Sequence, residues 1–171
     1  KGKNLIEQIK KNLDKIYAQV LREVPMGVGE YNKEQNITEK TKKEFQKLLT
    51  NFQKNPYDKN ILNYLKSTAV KHLGTLGGGN HFIELSTDEK GKELWVIIHS
   101  GSRGIGHTVA KKYMIKASNS KTDYEKTFPL DVKSQLGKEY LNLLDFGLDY
   151  ALLNRLEMSY KVIYSLEKVL N

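Results

Sequence analysis

The feature that most constrains this chain lies between residues 74 and 106, where eight of its 13 glycines surround two short β-like runs. These runs are His81-Phe82-Ile83-Glu84-Leu85 and Leu94-Trp95-Val96-Ile97-Ile98-His99, joined by the polar stretch Asp88-Glu89-Lys90-Gly91-Lys92. Two such runs with a Gly-bearing polar connection predict a β-hairpin. Gly77-Gly78-Gly79-Asn80 directly precede the first run, and Ser100-Gly101-Ser102-Arg103-Gly104-Ile105-Gly106 directly follow the second. In an antiparallel pair the start of the first strand and the end of the second share one edge, so His81 and His99 are expected side by side. Neighbouring imidazoles suit ligation of Mn, Fe, Zn or Cu, and glycines let backbone N–H groups approach a phosphate closely.

The competing reading of each residue is structural. A histidine at a strand end is more often a hydrogen-bonded structural group than a ligand, and only the Gly clusters and Arg103 distinguish this pair. His72 and His107 lack that framing and read as surface or supporting residues. Asn80, Phe82 and Glu84 fall on alternate positions and share a face if the strand is regular. A carboxylate at Glu84 could meet a base edge or a metal, or simply face solvent. Arg103 is one of three Arg among 28 basic residues. Its place inside a Gly cluster suggests a need for the planar, bidentate guanidinium, as for a phosphate or carboxylate.

Helical spacing dominates the rest of the chain. Leu5, Ile9, Leu13, Ile16, Val20 and Val24 recur at steps of three and four, which predicts one amphipathic helix over 4–24, stopped by Pro25-Met26-Gly27-Val28-Gly29. A second helix is expected from an N-cap at Thr38 through Phe45, Leu48 and Leu49. A short third is expected over 61–70, and a fourth from Arg103 to Ser118 carrying Ile105, Val109 and Tyr113. Residues 119–129 read as a surface loop. Beyond Pro129 the pattern is helical again, with Leu136, Tyr140, Leu143 or Leu144, Leu148, Ala151 or Leu152, Arg155, Met158, Val162, Leu166 and Val169. The fold class is α+β, a sheet of two or more strands flanked by helices.

Composition closes off several alternatives. No stretch approaches the roughly 18 apolar residues that a membrane helix needs. The chain has no Cys, so disulfides are excluded, and nothing at its start resembles a secretory leader, which makes the cytoplasm the expected compartment. The net charge of +8 is concentrated before residue 121 and favours polyanionic partners such as nucleic acid. Scattered Lys, however, more often marks a solvated helix face. Ser100 to Gly106 followed by a helix, with Tyr164-Ser165-Leu166-Glu167-Lys168 downstream, imitates the cofactor loop and Tyr-x-x-x-Lys of short-chain dehydrogenases. That reading fails because Ser100 stands where the first glycine is needed. The spacing to Tyr164 is also too short, and a dinucleotide-binding domain would open with this strand, not with three helices.

Taken together, Leu73-Gly74-Thr75-Leu76-Gly77-Gly78-Gly79-Asn80-His81-Phe82-Ile83-Glu84 and Trp95-Val96-Ile97-Ile98-His99-Ser100-Gly101-Ser102-Arg103-Gly104-Ile105-Gly106 closely resemble the RtcB family of RNA-splicing ligases. Val24-Pro25-Met26-Gly27-Val28-Gly29 looks like that family's Pro-x-Gly-x-Gly loop, and Tyr150-Ala151-Leu152-Leu153-Asn154-Arg155 like its Tyr-Ala-x-x-Asn-Arg helix. The resemblance implies GTP- and Mn²⁺-dependent joining of RNA 2′,3′-cyclic phosphate or 3′-phosphate ends to 5′-hydroxyl ends through a guanylylated histidine, in tRNA splicing or RNA repair. By position, His81 and His99 would each ligate one Mn²⁺, Asn80, His81, Phe82, Ile83 and Glu84 would contact GTP or GMP, and Arg103 would hold an RNA or nucleotide phosphate. RNA, GTP and an archease-type activator are the implied partners.

The chain departs from that pattern in lacking the upstream Asp-x-Gly-Cys-like ligand segment and the downstream nucleophilic His. With no initiator Met either, it is expected to be the central part of one RtcB-like catalytic domain. In that division, 1–70 is helical and basic, 71–118 is the Gly-rich metal and guanylate site, and 130–171 is helical. The segment alone is expected to be inactive, and any apolar surface left by missing segments is to be sought first from Leu136 onward. The rival reading is a non-catalytic RNA- or phosphate-binding module that kept the fold and lost the chemistry.

Overall fold

The computed structural model describes residues 2–27, 29, 31, 32, 36–119 and 128–171. Its elements run α1 (Gly2–Lys11), α2 (Leu13–Glu23), α3 (Glu39–Phe52), α4 (Lys59–Tyr64), a π-helical turn (Leu65–Ala69), α5 (Val70–His72), β1 (Phe82–Thr87), β2 (Leu94–His99), α6 (Ile105–Ser118) and α7 (Gln135–Leu170). This mixture of helices with a small antiparallel sheet is the α+β class the sequence predicts. No helix among the described residues is long and apolar enough to cross a membrane.

The chain forms two compact units. The first gathers Lys1–Thr38, Lys71–Gly101 and Asn154–Asn171; the second gathers Glu39–Val70 and Ser102–Leu153. In the first, β1 and β2 pair antiparallel in the register Phe82↔His99 to Thr87↔Leu94. Alternation then sets the two faces of the hairpin. Ile83, Leu85, Leu94, Val96 and Ile98 turn inward against a core of Ile9, Ile16, Val20, Val24, Leu76, Met158 and Val162. Phe82, Trp95, Ile97 and His99 lie exposed on the outer face.

The predicted single helix over 4–24 is two helices. Asn12 leaves helical geometry at φ −119°, ψ 19°, its N–H donating to Ile9 O and its side-chain amide to Gln8 O. An Asn competes with the helix for backbone partners in this way. The break shifts the phase of the apolar stripe, so Ile6, Ile9, Ile16, Val20 and Val24 are buried while Leu5 and Leu13 are exposed.

Thr38 stands directly before α3, as predicted, and its N–H and hydroxyl both donate to the Glu157 carboxylate, at 2.9 and 2.6 Å. Phe45 and Leu49 are buried in the second unit, together with Phe52. There Phe45, Phe52, Phe146 and Tyr150 pack as mainly edge-to-face aromatics, with centroids 5.5–6.4 Å apart. The third helix begins earlier than expected, because the Asp58 carboxylate caps it by accepting from the N–H groups of Asn60 and Ile61. It then loosens into the π-helical turn before α5. Asp58 also binds Lys112 at 2.7 Å and Lys116 at 3.3 Å. Burial alone would raise its pKa, but hydrogen bonds from the two lysines and the Ile61 N–H overcome that and hold it at about 2.

The predicted fourth helix starts at Ile105 rather than Arg103, and Ile105, Val109 and Tyr113 are its buried residues, as predicted. The predicted surface loop lies largely outside the described residues, apart from Asn119, which ends α6 in a left-handed conformation, and Phe128 and Pro129. Everything from Gln135 to Leu170 is one helix. Its buried stripe includes Leu143, Phe146, Tyr150, Leu153, Met158 and Val162, and the polar Asn154, Glu157, Lys161 and Ser165 are buried too. Leu148 and Leu152, expected inside, are 62% and 51% exposed. Leu141, Leu144, Leu156 and Ile163 are exposed as well.

Candidate functional site: a histidine pair at the open end of the hairpin

The register places Phe82 opposite His99, and His81 immediately precedes the ladder. The His81 and His99 rings lie 5.9 Å apart between centroids, tilted by 56°. The predicted juxtaposition is therefore present, with His99 placed by the ladder and His81 one residue outside it. His99 also stacks on Phe82 at 5.4 Å and 16°, which steadies one imidazole against an exposed aromatic. The Nδ1 atom of His81 is shielded from solvent and has no hydrogen-bond partner. A buried, unsatisfied ring nitrogen is costly unless something ligates it. An orphaned nitrogen beside a second imidazole can ligate a transition-metal ion, and with oxygen donors completing the sphere these residues fit Mn²⁺. No cluster of three or more His, Cys, Asp or Glu occurs among the described residues, so the pair supplies only part of a coordination sphere.

The other predicted residues divide by face. Asn80 is exposed ahead of β1, and Glu84 is exposed on the same outer face as Phe82 and His99, where it accepts a hydrogen bond from Ser86 Oγ. Ile83 turns inward against the core, so only its main chain could meet a ligand on the outer face. Arg103 belongs to the second unit. It adopts φ +51°, a left-handed conformation that a branched or long side chain rarely takes and that clusters at functional sites. Partial burial lowers the Arg103 pKa, with Tyr150 opposing the shift. Of the remaining histidines, His107 is exposed on α6, and His72 is half-buried with its ring 4.7 Å from that of Tyr31.

The glycine-rich approach to β1 is anchored on both sides. Leu76 N–H donates to Pro25 O and Gly27 N–H to Gly77 O, each at 3.0 Å. The Pro25 to Gly29 segment thus does more than stop a helix, since it forms a parallel bridge, Met26 to Gly77, beside the segment that carries His81. Gly74 must be glycine, because its φ is +69° and a Cβ would stand 2.7 Å from Glu157 Cγ and 2.9 Å from Asn32 Nδ2.

Sequence reasoning assigned no role to the residues that hold these segments. Asn154 accepts from Gly74 N–H at 2.7 Å and donates toward Thr75 O and Gly101 O at 3.2 and 3.3 Å. Arg155 donates to Ser100 O at 3.1 Å, and Ser100 Oγ donates to Leu76 O at 2.8 Å. The signal that could have found them is the Tyr-Ala-x-x-Asn-Arg resemblance at 150–155.

A two-strand antiparallel sheet carries paired imidazoles at its open end, and comparison with known proteins places the chain in a family. The chain matches the family described as tRNA-splicing ligase RtcB over residues 3–171. It therefore belongs to the RtcB family. It is similar to the tRNA-splicing ligase RtcB of Nanoarchaeum equitans, at 30% identity over 208 residues, 96% of this chain and 42% of that protein. It is also similar to RNA-splicing ligase RtcB1 of Escherichia coli, at 36% identity over 113 residues, 63% of this chain and 28% of that protein. The chain thus spans well under half the length of these relatives.

Proposed function

We propose that this chain is the central, metal- and guanylate-binding part of an RNA ligase that joins 2′,3′-cyclic phosphate or 3′-phosphate ends to 5′-hydroxyl ends. The reaction consumes GTP and passes through a guanylylated histidine contributed from outside residues 1–171. The observation that carries this reading is the His81–His99 pair with its orphaned Nδ1, set at the open end of the hairpin in a chain of this family. His81 and His99 would hold Mn²⁺. Metal held there would supply charge stabilisation to the oxygens of a phosphoryl transfer.

The chain's own residues do the binding and orienting. Asn80 and Glu84, exposed on and beside the outer face, offer an amide and a carboxylate to the polar edge of a guanine. Phe82, 43% exposed, offers an apolar face beside them. Arg103 supplies a fork-shaped cation for a phosphate, and its charge survives partial burial because an Arg remains protonated at neutral pH. The net +8 charge favours RNA encounter. The cytoplasm is the compartment, and an archease-type protein the activator, that this reading implies.

The test uses the full-length protein with GTP, Mn²⁺ and RNA ends of the stated chemistry. Joining should require both GTP and Mn²⁺, and His81→Ala or His99→Ala should each lower it on the order of 100-fold or more while weakening Mn²⁺ binding. Unchanged Mn²⁺ affinity in both variants would make the pair structural. RNA binding without any sealing would establish instead a non-catalytic module. Residues 1–171 alone should take up no label from GTP, and covalently bound GMP on that polypeptide would contradict the assignment of the nucleophile.

A further inference from the structure

We propose that Asn154 is a positioning residue, which sets the separation of the His81 and His99 imidazoles by tying the segment before β1 to the segment after β2. Its functional meaning rests on the metal-binding reading above; its geometry does not. The strand register fixes His99 against Phe82, but His81 lies one residue outside the ladder. The place of His81 relative to His99 therefore depends on how residues 74–80 are held against residues 100 and 101. Beside the direct bond from Ser100 Oγ to Leu76 O, one fully buried side chain, Asn154, makes that connection.

Asn154 sits in the interior of the 36-residue α7, whose ladder gives the side chain a rigid base. Asn is a weak helix former, and a buried amide is costly unless its groups are paired. Here they are. Gly74 N–H can only donate, so the atom facing it at 2.7 Å must be the amide oxygen, which fixes the orientation of the group. The Nδ2 hydrogens then face Thr75 O on one side and Gly101 O and Ser100 Oγ on the other, at 3.2–3.4 Å. Thr75 precedes His81 by six residues, and Ser100 directly follows His99. The next residue of the helix repeats the device, since Arg155 holds Ser100 O. An amide is required because one group must accept on one side and donate on the other, which neither a carboxylate nor a hydrocarbon can do.

The test is Asn154→Asp in the full-length protein, which keeps the shape and the Gly74 bond but turns a carboxylate oxygen toward the Thr75 and Gly101 carbonyls. Tyr150→Phe, one turn earlier, serves as control, since it removes only the hydroxyl bond to Ala69 O in the second unit. Asn154→Asp should weaken Mn²⁺ binding by about 10-fold or more, with Tyr150→Phe changing it less than about 2-fold at matched loss of Tm. A second readout needs no metal: the ring-to-ring NOE between His81 and His99 in metal-free protein should be lost in Asn154→Asp and kept in Tyr150→Phe. If Asn154→Asp accumulates no folded protein, Arg155→Met, which removes only the Ser100 bond, should shift both readouts in the same direction. Retention of the NOE and of wild-type Mn²⁺ affinity in the folded Asn154 or Arg155 variant would overturn the proposal. Mn²⁺ binding indifferent to His81→Ala and His99→Ala would instead overturn the metal reading, leaving the NOE to decide the positioning role.

Discussion

The interiors of the two units are built from different materials. Among the described residues, the buried polar side chains of the first unit are Gln19, Asn32, Thr75, Asn154, Glu157, Lys161 and Ser165, whereas the second has only Thr41. The second unit fills its centre with Phe45, Leu65, Tyr113, Phe146 and Tyr150. This difference follows from what each must hold. Helices satisfy their own backbone and need only apolar faces to pack. The first unit also contains the irregular segments at 73–80 and 100–101, several of whose backbone groups take side-chain partners. Asn32 Nδ2 donates to Leu73 O at 2.7 Å, Asn154 serves Gly74 and Thr75, and Glu157 serves Thr38. A polar core of this kind fixes geometry, and the histidine pair is where fixed geometry is needed.

The comparison breaks most visibly at Glu157, which is fully buried. Glu157→Leu strands Thr38 N–H and removes one of the two carboxylates, Glu157 and Glu23, whose charge opposes the desolvation of the buried Lys161 ammonium. The expected loss is about 3–5 kcal/mol by equilibrium denaturation. The matching swap in the second unit, Leu65→Met at an equally buried position, should cost less than about 1.5 kcal/mol, since an apolar core tolerates conserved volume. Equal losses would erase the distinction between the two interiors.

Gly74→Ala forces a Cβ into the crowded left-handed position described above, and a loss of about 1–3 kcal/mol is expected, with a shift in the Asn32 and Asn154 side-chain amide resonances. A neutral Gly74→Ala would mean that the polar core can yield. Asp58 is a polar anchor of the second unit, beside Asn142 and the Tyr150 hydroxyl. Asp58→Ala removes a cap and two lysine contacts and should cost about 1–2 kcal/mol. Because the folded pKa of Asp58 is held at about 2, below its ordinary 3.8, its contribution is fully present above pH 4 and disappears as the pH falls toward 2. The difference in stability between wild type and Asp58→Ala should therefore narrow across that window and stay constant above it.

Several elements were legible in the residues alone. Two short β-like runs and a Gly-bearing connection specify the hairpin, and antiparallel pairing then brings the His81 and His99 ends to one edge. Thr38, Ile105, Val109 and Tyr113 also fall where helical spacing puts them. The misreadings share one cause. Asn12 has the same polar character as its helix neighbours, so nothing in the periodicity shows that its side chain bonds to Gln8 O and interrupts the stripe. In α7 the spacing pointed to Leu148 and to Ala151 or Leu152, while the structure exposes Leu148 and Leu152 and buries the polar Asn154, Glu157 and Lys161.

By itself, the sequence determined the elements whose signals are local: the hairpin, the histidines at its open end, the glycine-rich segments around them and membership of the RtcB family. The tertiary structure decided which polar residues became interior and which backbone groups they satisfy. A polar side chain is buried only where a distant chain segment presents an unpaired N–H or C=O to it. Gly74 and Asn154 are 80 residues apart when they make that match.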